Sequence, residues 1–112
     1  MADGFWTHLE TLIAGSELVI DRPKGSAHPV HHDVIYPLDY GYLAGTTSAD
    51  GAGIDVWVGS SSAQQVVGVA CTVDLFKRDT EIKILLGCTE DEMHVIEDFH
   101  NDSDMRCMVV RR

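Results

Sequence analysis

The chain is predicted to be a mostly β, α+β domain, a small barrel or strongly coiled antiparallel sheet with a helix near each end of the pattern. Three observations predict this. Residues 54–58 (Ile-Asp-Val-Trp-Val) alternate strictly between apolar and other residues. A long β-branched run, Val66 to Phe76, is followed by a charged turn and a second run, Glu81 to Leu86. Helical spacing occurs only early, at Phe5, Leu9, Leu12 and Ile13, and late, at Met93, Ile96 and Phe99.

The elements follow in order. Asp3 is the expected N-cap of the first helix and Gly15 its stop. Glu17 to Asp21 reads as a short strand closed by Pro23, and residues 24–29 as a loop. Val30 to Ile35 is read as extended, and Pro37 biases Tyr36 the same way. Tyr40 to Leu43 is a strand, and Thr46 to Gly53 a polar, glycine-rich turn. In the next strand Ile54, Val56 and Val58 share one face, Asp55 and Trp57 the other. Val66 to Phe76 should place Val67, Val69, Cys71, Val73 and Leu75 together, and Glu81 to Leu86 should complete a hairpin. Thr89-Glu90-Asp91-Glu92 is a capping box opening the second helix. Met105 to Val110 is the last strand.

With 112 residues and 45% hydrophobic content, residues 1–112 make one domain that needs no metal or disulfide to fold. Eighteen acidic residues against eight basic ones give a formal charge of −10, a field that repels nucleic acid and anionic membranes and attracts cations. Cys71, Cys88 and Cys107 form an odd set without a C-x-x-C. Together with an N-terminus unlike a signal peptide, they lead us to expect reduced thiols in a cytoplasmic protein. Cys71 and Cys107, inside apolar runs, are read as core residues, whereas Cys88 ends a strand.

The segment Tyr36-Pro37-Leu38-Asp39-Tyr40-Gly41-Tyr42, followed by Asp50-Gly51-Ala52-Gly53-Ile54-Asp55-Val56, resembles the family I soluble inorganic pyrophosphatases, whose Y-P-x-N-Y-G-[YF] stretch precedes D-x-D-P-x-D-V. Val19-Ile20-Asp21-Arg22-Pro23 is similar to the family's V-I-E-I-P strand, and Glu81-Ile82-Lys83 to its D-x-K. Phe99-His100 stands where the family has Tyr-Lys. The resemblance implies an OB-like, five-stranded barrel and metal-dependent hydrolysis of pyrophosphate or a related phosphoanhydride. It implies catalytic roles for Asp50, Asp55 and Tyr40, and metal ligation by Asp50 and Asp55 with Asp21 or Glu81. Phosphate contacts would come from Tyr36, Lys83, Lys24 and His32. Hard carboxylate oxygens suit Mg²⁺, with Mn²⁺ or another divalent metal as alternatives. The expected partners are a small phosphate-containing substrate and further copies of the chain.

The departures are equally specific. Ala52 replaces the middle carboxylate, to which the resemblance assigns a part in activating the attacking water. Gly53 replaces the proline and loosens the turn. The family's phosphate-binding hairpin shrinks to residues 24–35, leaving Arg22 and Lys24 as its cations. His28, His31 and His32 fill the space, as ligands for a softer metal, as protonated phosphate contacts, or as surface loop residues. A catalytically degraded relative that binds a phosphate-bearing ligand, or serves a regulatory or structural role, is the alternative. A shortened hairpin would also admit a larger phosphate ester.

Overall fold

The computed structural model describes residues 2–112. Helix α1 (Ala2–Ala14) leads into strand β1 (Leu18–Arg22), β2 (Asp39–Leu43), β3 (Ile54–Val58), β4 (Val66–Asp74) and β5 (Asp79–Leu86). Helix α2 (Glu90–His100) and β6 (Met105–Arg111) follow. The strands form one mixed sheet in the order β1-β2-β3-β5-β4-β6. All neighbours are antiparallel except β3 and β5, which run parallel. The α+β, mostly β class is therefore as expected, but the sheet has six strands rather than five and does not close. β1 and β6 remain its two edges, so the OB-like closure is absent. Closure would require those edges to pair, and each bonds to one neighbour only.

Both faces are covered, because alternation along the strands presents apolar side chains to each side. On one face Trp6, with Leu9 and Ile13 of α1, packs on Leu43, Val56, Val66, Val69, Ile84 and Leu86. On the other, Met93 and Ile96 of α2 pack on Trp57, Ala70, Leu85, Cys88 and Val109, joined by Tyr36 and Leu38 from the 23–38 loop. Ile54, Val56 and Val58 do face α1, and Trp57 does face α2. Fully burying a side chain such as Ile96 or Leu85 stabilises the fold by about 1.5–3 kcal/mol.

Helix α2 begins at the capping box: Thr89 accepts from the Glu92 amide, and the Glu92 carboxylate accepts from the Thr89 amide at 2.8 Å. The same carboxylate also takes the Ser60 amide, tying the 59–65 loop to the helix.

Four expectations are corrected. Asp3 lies within the first turn of α1 rather than before it. Residues 30–35 form no strand: Ala27 and Ile35 make a single bridge across a tight loop, because Pro29 and the His31–Val34 turn break the run. Strand β4 ends at Asp74, whose carboxylate accepts the Phe76 and Lys77 amides and so builds the turn. A register irregularity between Val66 and Gly68 shifts the parity of β4, so Val66 and Val69 share the α1 side while Val67 packs with the α2 cluster. Cys71 and Cys107 are half-buried and pack against the α1-side and α2-side cores, and Cys88 is buried within the α2 core.

Candidate functional site

The α2 face of the sheet is apolar near Trp57 and polar beyond it. Tyr40 on β2, Asp55 on β3, and Glu81 and Lys83 on β5 all project there, because each shares its strand's parity with a core residue of that face. They meet at the Lys83 ammonium, which donates to Tyr40 Oη at 2.9 Å, Asp55 Oδ2 at 2.8 Å and Glu81 Oε2 at 2.9 Å. Lys83 has three N–H donors, and all three are used. The Lys83 and Glu81 side chains are only 7% and 9% exposed, so this is a buried ion pair rather than a surface one.

Burial alone would pull the Lys83 pKa down, but Tyr40 and Asp55 beside it override that and raise it, so the amine stays charged. Burial raises the Tyr40 phenol, against the pull of Lys83, and the hydroxyl keeps its proton.

Asp50 stands on the Ser48–Gly51 turn. Its carboxylate accepts the Ala52 amide at 2.9 Å and the Ser48 hydroxyl at 2.8 Å. The Ala52 amide, then Ser48, hold its pKa down at about 2. Asp50 and Glu81 line the same cavity. Burial raises the Glu81 pKa, Lys83 opposes that, and the approach of Asp50 adds to it. One proton or one cation between the two carboxyls relieves their repulsion.

The backbone around these groups explains two glycines. A Cβ on Gly41 would collide with the Val19 carbonyl of β1. A Cβ on Gly53 would sit 2.9 Å from both the Leu43 carbonyl and the Tyr42 ring. Gly53 therefore permits a close approach of β2 and the turn that a proline ring would obstruct.

These groups line a cavity of about 280 Å³. Its aromatic wall stacks Tyr36 on Tyr40 at 5.4 Å between ring centroids, with Tyr40 4.5 Å from Trp57 and Tyr36 5.4 Å from Phe99. Tyr36, Tyr40, Asp50, Asp55, Glu81 and Lys83 all line this cavity. Asp21, Lys24 and His32 do not. Asp21 pairs with its neighbour Arg22 at 3.1 Å. The Lys24 amide is held by Asp39, and His32 bonds to the Pro29 carbonyl. Of the histidine run, His28 and His31 reach the cavity instead.

Thr72, Asp74, Lys77, Asp79 and Asp102 also line the cavity without a site role assigned from sequence, as does His100, which was noted only as standing with Phe99 in place of the family's Tyr-Lys. Thr72 lies opposite Glu81 and Asp74 opposite Asp79 across the β4–β5 ladder, so correct strand parity would have revealed both. His100 is buried, and its Nε2 accepts from Trp57 Nε1 at 3.0 Å. It closes a helix C-terminus, where the helix dipole favours a cation by roughly 0.3–1 kcal/mol, less than one pKa unit. Burial, reinforced by Lys83, lowers its pKa to about 3 and dominates.

Among the described residues, no three His, Cys, Asp or Glu side chains converge as metal ligands. The carboxylates that line the cavity beside one another in the site are Asp50, Asp55 and Glu81, of which Asp55 and Glu81 are both already bonded to Lys83. Compared with known protein families and with curated proteins, the chain matches none.

Proposed function

We propose that the protein is a metal-dependent phosphohydrolase acting on inorganic pyrophosphate or a related phosphoanhydride. The observation that carries this reading is the convergence of Tyr40, Asp55, Glu81 and Lys83 on one buried cluster, with Asp50 lining the same cavity. These are residues of the two central sequence stretches and of the Glu81–Lys83 pair, which lie far apart in the chain. Mg²⁺ binds through one or two carboxylates and keeps several waters, which suits a two-carboxylate site. Asp50 and Glu81 would hold it, and when bound it supplies charge neutralisation and a more acidic water.

The remaining roles belong to the chain's own side chains. Lys83 fixes the orientation of Asp55 and Tyr40 and neutralises the carboxylates around it. Tyr36 is buried, yet its hydroxyl has no hydrogen-bond partner among the described residues and is not occluded, so it can donate to a phosphate oxygen. The Asp55 carboxylate keeps lone pairs free for a water. On this reading the open sheet is a variant of the barrel of the pyrophosphatase type, and the three free cysteines suit the cytoplasm.

Ala52 favours a second reading. It occupies the exposed turn where the resemblance expects a carboxylate, and Asp50 instead bonds back to the Ala52 amide. A relative that binds a phosphate-bearing ligand without hydrolysing it would look the same. Phosphate release with Mg²⁺ or Mn²⁺, run beside calorimetry with imidodiphosphate, separates the two. Turnover supports the first reading; metal-dependent binding without turnover supports the second.

A further inference from the structure

Two histidines on the cavity wall have their tautomers set by the hydrogen bonds they accept. Trp57 Nε1–H is a donor only, so His100 Nε2, 3.0 Å away, must be the bare nitrogen of a neutral ring. The proton then sits on Nδ1. That atom has no partner among the described residues. The one buried side-chain nitrogen or oxygen found there without a partner is Arg22 Nε, so His100 Nδ1 is not occluded although its residue is only 7% exposed. His100 itself lines the cavity.

The same logic applies to His28. Its Nδ1 accepts both the Val30 and His31 amides, each at 3.1 Å. Protonation there would break both bonds, so the ring is neutral with its proton on Nε2. The ring lies parallel to Tyr36, at an interplanar angle of 10°.

We infer that His100 Nδ1–H and His28 Nε2–H are uncharged hydrogen-bond donors to the oxygens of a phosphate-type ligand in this cavity, locked in that form by Trp57 and by the 28–31 turn. This rests on the phosphohydrolase reading and adds two ligand contacts to it. The locked form matters because the cavity is already acidic: Asp50, Asp55, Asp74, Asp79, Glu81 and Asp102 face only Lys77 and Lys83. Imidazoles that gained charge would be drawn to those carboxylates, whereas neutral N–H groups remain free for the ligand.

The test is ¹⁵N NMR of the histidine rings in the full chain, without ligand and with imidodiphosphate plus Mg²⁺, together with calorimetry on His100→Phe and His100→Gln. The expected ligand-free spectrum shows His100 Nε2 and His28 Nδ1 as bare acceptor nitrogens. The expected response is a shift of the two protonated nitrogens on binding. His100→Phe should weaken imidodiphosphate roughly tenfold, with partial recovery in His100→Gln, the size of one hydrogen bond. The opposite tautomer, or imidazolium signals, would overturn the inference whatever binds. So would unchanged affinity in a folded His100→Phe variant, which leaves the phosphohydrolase reading standing. Failure of the wild-type protein to bind imidodiphosphate with either Mg²⁺ or Mn²⁺ would overturn the reading and these contacts together.

Discussion

Lys83 decides what the site is at the scale of single residues. Its three bonds hold two carboxylates and a phenol in one place, and among the described residues no other basic group bonds to them. Lys83→Met should destabilise the fold by about 3 kcal/mol, because Asp55 and Glu81 would keep their burial and lose their counter-charge. Urea unfolding checks this, and a loss near zero would mean that water already compensates the pair. Ala52→Asp restores a carboxylate to the exposed turn between Asp50 and Asp55, and phosphate release should rise about a hundredfold, the range of general base catalysis. Asp50 makes a pH prediction. Its carboxyl falls from the ordinary 3.8 to about 2 in the folded protein, so the unfolded chain binds more protons between those values. Stability from Asp50 is therefore present above pH 4 and is lost as pH falls towards 2. Asp50→Asn should flatten that part of the stability profile, measured by denaturant unfolding at stepped acid pH.

The elements show how an exposed sheet edge is managed. Strand β6 is an edge, yet its outward groups are occupied by side chains of α2 and its C-cap: Glu97 accepts the Val109 amide at 3.0 Å, and Asn101 both accepts from the Cys107 amide and donates to its carbonyl. Such covering prevents edge-to-edge pairing. The double variant Glu97→Ala, Asn101→Ala should self-associate at concentrations where the parent does not, as read by light scattering. Much of this scale was legible in the sequence. Ile54–Val58 was placed to the residue because its alternation has no competing period, and α2 because Thr89 and Glu92 announce a capping box. Residues 30–35 were misread because Val30, Val34 and Ile35 suggest a strand, while the turn is imposed by His28 accepting two amides, a bond no periodicity encodes. The face of Val67 was missed because a single bulge inverts the parity of everything before it.

For the whole molecule, two helices cover opposite faces of one open sheet, and the polar site occupies the end of the α2 face where the helix stops. The sequence stretches Tyr36–Tyr42 and Asp50–Val56 did indicate that end of the sheet, since Tyr36, Tyr40, Asp50 and Asp55 all line its cavity. Asp21, Lys24 and His32 were beyond its reach, because their placement depends on how a loop without regular structure folds back. His100 was legible only by its position beside Phe99, since its neutrality depends on Trp57, 43 residues away. No helix among the described residues is long and apolar enough to cross a membrane. In the proposed function the acidic cavity hydrolyses a phosphoanhydride with a divalent cation. Phosphate release from pyrophosphate by the purified chain, with Mg²⁺ and separately with Mn²⁺, tests it most directly. Release should require the metal and disappear in Asp55→Asn; no release with either metal, from protein that unfolds cooperatively, would contradict the proposed hydrolysis.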